Sequence, residues 1–301
     1  MTERGAGQLP EIPSAAQQLG ADIQRFFRNR LFFLGTVILV PILVAALGAP
    51  VLTSYDPEEL DTKNSLQSMS LTHPFGTDEM GRDVLSRVIY GARVSLRVGF
   101  LCALFTTGLG VVFGVFTGYY RVVDSIMSRI VDGFMAFPGL IMAIMFMAAL
   151  GPSEMNVVLA MTVLYTPRIV RVVRAAVLEL LPMDFIDAAR VIGASDMRIL
   201  FRHIVPNAIA PILVQATFGF AMAILAEAGM SFLGLGNPPP APSWGIIISA
   251  GREFIRTAPW LMFFPGLAIS LSVIGLNLIG DGLRDLMDPR LRNLGRTSGT
   301  I

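Results

Sequence analysis

Residues 98–120 read VGFLCALFTTGLGVVFGVFTGYY, an unbroken run without a charge. A helix crossing the roughly 30 Å hydrocarbon core of a bilayer needs about 20 apolar residues, so this stretch predicts a transmembrane helix. The pattern recurs on both sides of it. Residues 31–53, 133–153, 203–226 and 257–280 are also free of charge, which gives five clear spans. A sixth is weaker. Residues 155–167 are uncharged but too few to cross, and the run reaches about residue 173 only by including Arg168 and Arg171. Long arginine side chains can snorkel to the interface, so six spans are expected, with a re-entrant segment as the alternative for the sixth. The fold class is therefore an all-α integral membrane protein.

Composition agrees. The chain has 301 residues, 53% hydrophobic and only 15% charged, against about a quarter charged in soluble domains. That argues against a disordered chain and against a soluble enzyme. A net charge of +1 supplies no field for nucleic acid. Cys102 is the single cysteine, and His73 and His203 lie far apart, so neither a disulfide nor a metal site is expected. The first run starts only at residue 31 and exceeds the 7–15 residue apolar core of a signal peptide. It reads as an anchor, with Arg25, Arg28 and Arg30 beside it.

Most of the 23 basic residues fall on one side of the six spans, the side of both termini, and the positive-inside rule makes that side cytoplasmic. The chain then divides into a cytoplasmic segment 1–30, a first span 31–53, an extracytoplasmic segment 54–97, a five-helix core 98–282 and a cytoplasmic tail 283–301. The acids of 54–97, among them Asp56, Glu59, Asp61, Asp78 and Asp83, read as a solvated surface, or as a contact for an outer partner or the pore mouth. The outer loop 235–259 carries Pro238, Pro239, Pro240 and Pro242, which favour a stiff extended path. Trp244 and Trp260 fit an interfacial aromatic belt.

The cytoplasmic loop 175–206 carries the most information. After Pro182, residues 184–192 read as a short helix with Asp184 and Asp187 near its positive end. Gly193 is placed to stop it in the left-handed conformation, and Ser195 to cap a second short helix running through Asp196 toward Pro206. Phe185, Ile186, Ala189 and Ile192 form a small apolar face, and Ala188-Ala189 permits close backbone approach. Such a loop suits either docking in a partner's groove or an amphipathic connector at the membrane surface.

No catalytic motif accompanies it. Lys63, the single lysine, lies in Thr62-Lys63-Asn64, so no phosphate-binding Gly-Lys-Ser/Thr loop is present. An ATP-driven activity would need another chain to hydrolyse the nucleotide. Glu227 is an acid within an apolar segment, either a structural anchor or a substrate or gating group. Asp281 sits at the end of the last run. Gly108, Gly110, Gly114 and Gly118 suit close helix packing.

Asp187-Ala188-Ala189, with Gly193 and His203-Ile204-Val205-Pro206 at fixed distances, resembles the EAA motif of type I ABC importer permeases, with Asp in place of Glu. Further stretches resemble the C-type permease of the dipeptide/oligopeptide/nickel importer family. They are 73–78 with 81–87, 91–96, Gly193-Ala194-Ser195, Ala226-Glu227-Ala228 with 231–236, 242–245, and 280–285 with Asp288-Pro289-Arg290. The likeness covers about residues 30–292.

The resemblance implies a type I ABC importer transmembrane domain in a prokaryotic plasma membrane, forming half of a path for peptides. It implies three kinds of partner besides the bilayer: a homologous second permease, two ABC ATPase subunits that hold ATP and Mg, and an extracytoplasmic substrate-binding protein. It places the ATPase-coupling loop at Asp184, Phe185, Asp187, Ala188, Ala189, Arg190, Gly193, Ala194, Ser195 and Pro206. The competing functions are a self-sufficient secondary transporter, which needs charge relays, and a membrane scaffold without transport.

Overall fold

The computed structural model describes residues 29–236, 238 and 240–287. Segments 1–28 and 288–301 lie outside the described residues, as do Asn237 and Pro239. The expectations for Asp288-Pro289-Arg290, and in part for the 238–242 proline path, therefore fall outside them.

The described chain is helical, with one isolated bridge between Thr77 and Asp83 and no named strand among the described residues. In chain order the helices are α1 (Arg30–Leu47), α2 (Ala49–Leu52), α3 (Val84–Tyr119), α4 (Arg121–Met135), α5 (Gly139–Leu150), α6 (Glu154–Leu180), α7 (Asp184–Val191), α8 (Asp196–Arg198), α9 (Val205–Asn207), α10 (Ile209–Phe232), α11 (Trp244–Gly251) and α12 (Trp260–Met287). Five of them, α1, α3, α6, α10 and α12, are long and apolar enough to cross a membrane. The count becomes six if the bent pair α4–α5 forms one span.

That pair reverses two expectations. The clear run 133–153 is not one helix: α4 and α5 meet at 89°. Pro138 explains the break. It has no N–H to donate and pushes Phe137 away from helical geometry. The weak sixth run is instead the continuous 27-residue α6. Two of its three arginines, Arg171 and Arg174, pair with acids of the neighbouring helix α4. Arg174 donates through Nε and Nη2 to both carboxylate oxygens of Asp124 at 2.6 and 2.8 Å, and Arg171 pairs with Asp132.

A third correction concerns the polar segment 54–97. Residues 84–97 are the first turns of α3, whose 36 residues span about 54 Å at 1.5 Å per residue. Asp83 caps the helix, its Oδ2 accepting from the Ser86 N–H at 2.8 Å. The helix starts this early because its charges find partners. Arg87, almost fully buried, donates to the Pro57 carbonyl and lies 3.5 Å from Asp78. Asp78 and Asp83 are buried too, so these two acids are not a solvated surface. Asp78 accepts from Arg82 Nε, and Asp83 meets His73 Nδ1 at 2.9 Å.

Nor do the tryptophans form a belt. Trp244 is fully buried and donates Nε1–H to the Val88 carbonyl at 3.0 Å, and Trp260 donates to the Thr77 carbonyl at 3.1 Å. Each indole N–H is satisfied inside the protein.

Helices α3 and α6 share the most extensive contact among the described residues. Gly110, Gly114 and Gly118 lie one turn apart on α3 and receive Ile169, Val173 and Val177 of α6; an added Cβ at these three would come within 2.4 to 2.6 Å of those side chains. Gly108 faces open space, so the packing expectation holds for three of the four glycines. Small residues that let backbones approach are what drive association where water supplies no hydrophobic force.

Candidate functional site

Two places hold the residues singled out in the sequence. The first is the loop from Asp184 to Asn207. Helix α7 begins after Met183 and carries Asp184 and Asp187 in its first turn. It ends as expected. Gly193 has φ +78°, its N–H donates to the Arg190 carbonyl, and the Ala194 N–H donates to the Ala189 carbonyl, both at 3.0 Å. These two bonds are the Schellman pattern that satisfies the last carbonyls of a helix.

The second short helix is less regular than expected. Ser195 occupies the cap position of α8, but its hydroxyl makes no capping bond. The chain then widens into a π turn, Ile199–Ile204, closed by the Val205 N–H on the Leu200 carbonyl. Pro206 follows in the first turn of α9, where a missing N–H costs nothing. Ile199, Leu200 and Ile204 are buried and fix this turn to Val173, Val177 and Ile186 in one apolar cluster.

The apolar face of α7 is split, which corrects the sequence expectation. Ile186 and Ala189 are buried against the protein body, but Phe185 and Ile192 point away from it. Val191, 87% exposed, and Ile192, 83% exposed, stand beside them. Successive residues differ by about 100° around a helix, so Ala188 and Ala189 also part, Ala189 inward and Ala188 outward. The outward face carries Asp184 and Asp187, with Asp187 accepting from Arg190 at 3.0 Å.

Sequence reasoning missed one part of this site. Tyr119 and Tyr120, at the end of α3, each direct a hydroxyl at Asp196, at 2.7 Å to Oδ1 and 3.2 Å to Oδ2. The adjacent tyrosines at the end of the charge-free run were the available signal.

The second place surrounds Glu227 on α10. The residue is 2% exposed. Ser231 Oγ donates to Oε1 at 2.6 Å and Ser95 Oγ to Oε2 at 2.9 Å, and the Trp244 backbone N–H donates to Ser95 Oγ at 3.3 Å. One carboxylate thus ties α10 to α3 and, through Ser95, to α11. The close approach of Gly245 to the Ala228 carbonyl reinforces the same junction. Asp281 lies within α12, not at its end, since the helix continues to Met287. Among the described residues no group of three or more His, Cys, Asp or Glu could hold a metal ion.

Residues 110–293 match the family described as binding-protein-dependent transport system inner membrane component, and residues 19–71 match the N-terminal TM domain of oligopeptide transport permease C. The chain is 45% identical to the dipeptide transport system permease protein DppC of Alkalihalophilus pseudofirmus, over 88% of each chain. It is 38% identical to the oligopeptide transport system permease protein OppC of Bacillus subtilis, over 95% of each. Among solved structures, an inward-facing MetNI methionine ABC transporter chain shares the fold. The TM-score is 0.55 at 20% identity, over 68% of this chain and 97% of that one. The chain therefore belongs to the binding-protein-dependent transport system inner membrane components, as a multi-pass permease subunit of an ABC importer whose ATP hydrolysis resides on separate subunits.

Proposed function

We propose that this subunit forms half of a translocation path for peptides, di- or oligopeptides, and pairs with a homologous second permease. Two ATPase subunits that bind ATP and Mg dock on the cytoplasmic loop, a binding protein delivers substrate on the opposite side, and both termini face the cytoplasm. The observation that carries this is α7. Its inner face is fixed by Ile186 and Ala189, while Phe185, Val191 and Ile192 stand exposed beside a rim of Asp184, Asp187 and Arg190. A small apolar patch on a rigidly seated helix is the shape that enters a groove on another protein. Gly193, Ala194, Ser195 and Pro206 serve by holding that helix at its angle. The peptide assignment rests on the named relatives.

The test is ATP hydrolysis by the complex reconstituted in lipid with its partner permease, ATPase and binding-protein chains. The binding protein is loaded in turn with a dipeptide, an oligopeptide and a nickel chelate. Stimulation by a peptide is expected. Stimulation by the chelate alone would overturn the substrate, and failure of any ATPase to associate would return the secondary transporter to first place.

Glu227 acts here as a clamp, not as a substrate ligand. Glu227→Gln keeps a hydrogen-bonding group between Ser95 and Ser231, whose hydroxyls can reorient, so uptake and protein level are expected to stay within about twofold of wild type. Glu227→Leu strands both hydroxyls at about 1–3 kcal/mol each, and the protein level is expected to fall. Uptake assays paired with immunoblots check both. Lost uptake of Glu227→Gln at normal level would assign the acid a role in transport.

A further inference from the structure

The two tyrosine hydroxyls on Asp196 join elements that the chain separates by more than 70 residues. Tyr119 and Tyr120 form the inner end of α3. The other end of α3 is capped by Asp83, which is itself held by His73. One continuous helix therefore runs from the segment before Val84 to the loop that carries α7. Helix α6 is locked along it by the glycine row at Gly110, Gly114 and Gly118.

The loop is thus held in two ways. Its apolar side, Ile186, Ala189, Ile199, Leu200 and Ile204, rests on Val173 and Val177 of α6. Its polar side is held by two hydroxyls converging on one carboxylate, from rings that themselves meet edge to face at 4.9 Å. Packing alone fixes how deep the loop sits. The fork fixes its rotation about the end of α3, because two donors on two oxygens leave the carboxylate one orientation. Asp196 is three residues past Gly193, so its position sets the direction in which α7 projects.

We propose that Tyr119 and Tyr120 are positioning residues for energy coupling. By orienting Asp196 they tie the angle of α7 to α3, so that a displacement of α3 at its Asp83 end turns the helix presented to the ATPase. This rests on the assignment of the loop as the ATPase contact.

The experiment uses the full reconstituted complex carrying Tyr119→Phe with Tyr120→Phe, Asp196→Asn, and the three changes together. Three quantities are read: ATPase subunits retained on purification, basal ATP hydrolysis, and stimulation by loaded binding protein. The double phenylalanine chain keeps both rings and is expected to retain the subunits and its basal rate, and to lose stimulation about fivefold, the order of an ordinary net hydrogen bond, because water competes for these exposed bonds. The triple change is expected to add nothing to the double, because all of them remove one interaction. Unchanged stimulation in the double phenylalanine chain would overturn the proposal. So would additive losses, or loss of the subunits while wild type retains them, since the fork would then serve folding alone. If wild type also retains no ATPase subunit, it is the assignment of the loop that has failed.

Discussion

In a Gly193→Val chain, uptake is expected to fall about tenfold or more while the protein still reaches the membrane. Gly193 sits at φ +78°. A non-glycine residue in this region stores about 1–3 kcal/mol, with a β-branched side chain at the upper end, and about 1.4 kcal/mol is already a factor of ten in an equilibrium. No heavy atom lies within 4 Å of the added Cβ, so the cost is backbone strain and not a clash. The two bonds that end α7, from Gly193 to Arg190 and from Ala194 to Ala189, are lost together when φ turns negative. Helix α7 then continues or frays, and Phe185, Val191 and Ile192 leave their positions. Gly193→Asn is the control. Asparagine tolerates the left-handed conformation, and uptake is expected to remain near wild type. Equal loss in both chains would mean that the turn is not what matters.

The second large effect is on assembly of the chain itself. Gly114→Leu is expected to leave little folded protein in the membrane. The Cβ alone would lie 2.6 Å from Val173 Cβ and 3.0 Å from the Val170 carbonyl. Overpacking of this kind costs about 1–3 kcal/mol or more, and here the obstacle is partly backbone, which cannot rotate away. Separation of α3 from α6 also breaks the stripe at Gly110 and Gly118. Gly108→Leu, on the same helix but facing open space, is expected to be tolerated. Thermal unfolding in detergent, followed by size exclusion, compares the two. Similar midpoints would remove the stripe from the account.

What could be read from the sequence follows the range of the interactions. Spans such as α3 and α12 announce themselves because hydropathy is local. The end of α7 does too, because a glycine in the left-handed region closes a pattern of six residues. The break at Pro138 did not, since apolar composition is the same on both sides and proline is tolerated within membrane helices. The arginines of α6 looked unfavourable because Asp124 and Asp132, 50 and 39 residues earlier in the chain, could not be assigned to them in advance. The same holds for Glu227, whose partner Ser95 is 132 residues away, and for the fork on Asp196. The indole N–H groups of Trp244 and Trp260 were assigned to a lipid interface because nothing local names the carbonyls they reach.

The central claim is that the outward face of α7 meets a separate ATPase subunit. Cys102, the single cysteine, is buried, and Ile192 is 83% exposed. Ile192→Cys therefore supplies one reactive thiol on that face. Labelled there with a photocrosslinker and irradiated in the assembled complex, the chain is expected to give one main adduct, of the mass of this subunit plus an ATPase subunit. Complete labelling of the assembled complex with no ATPase adduct would contradict the account.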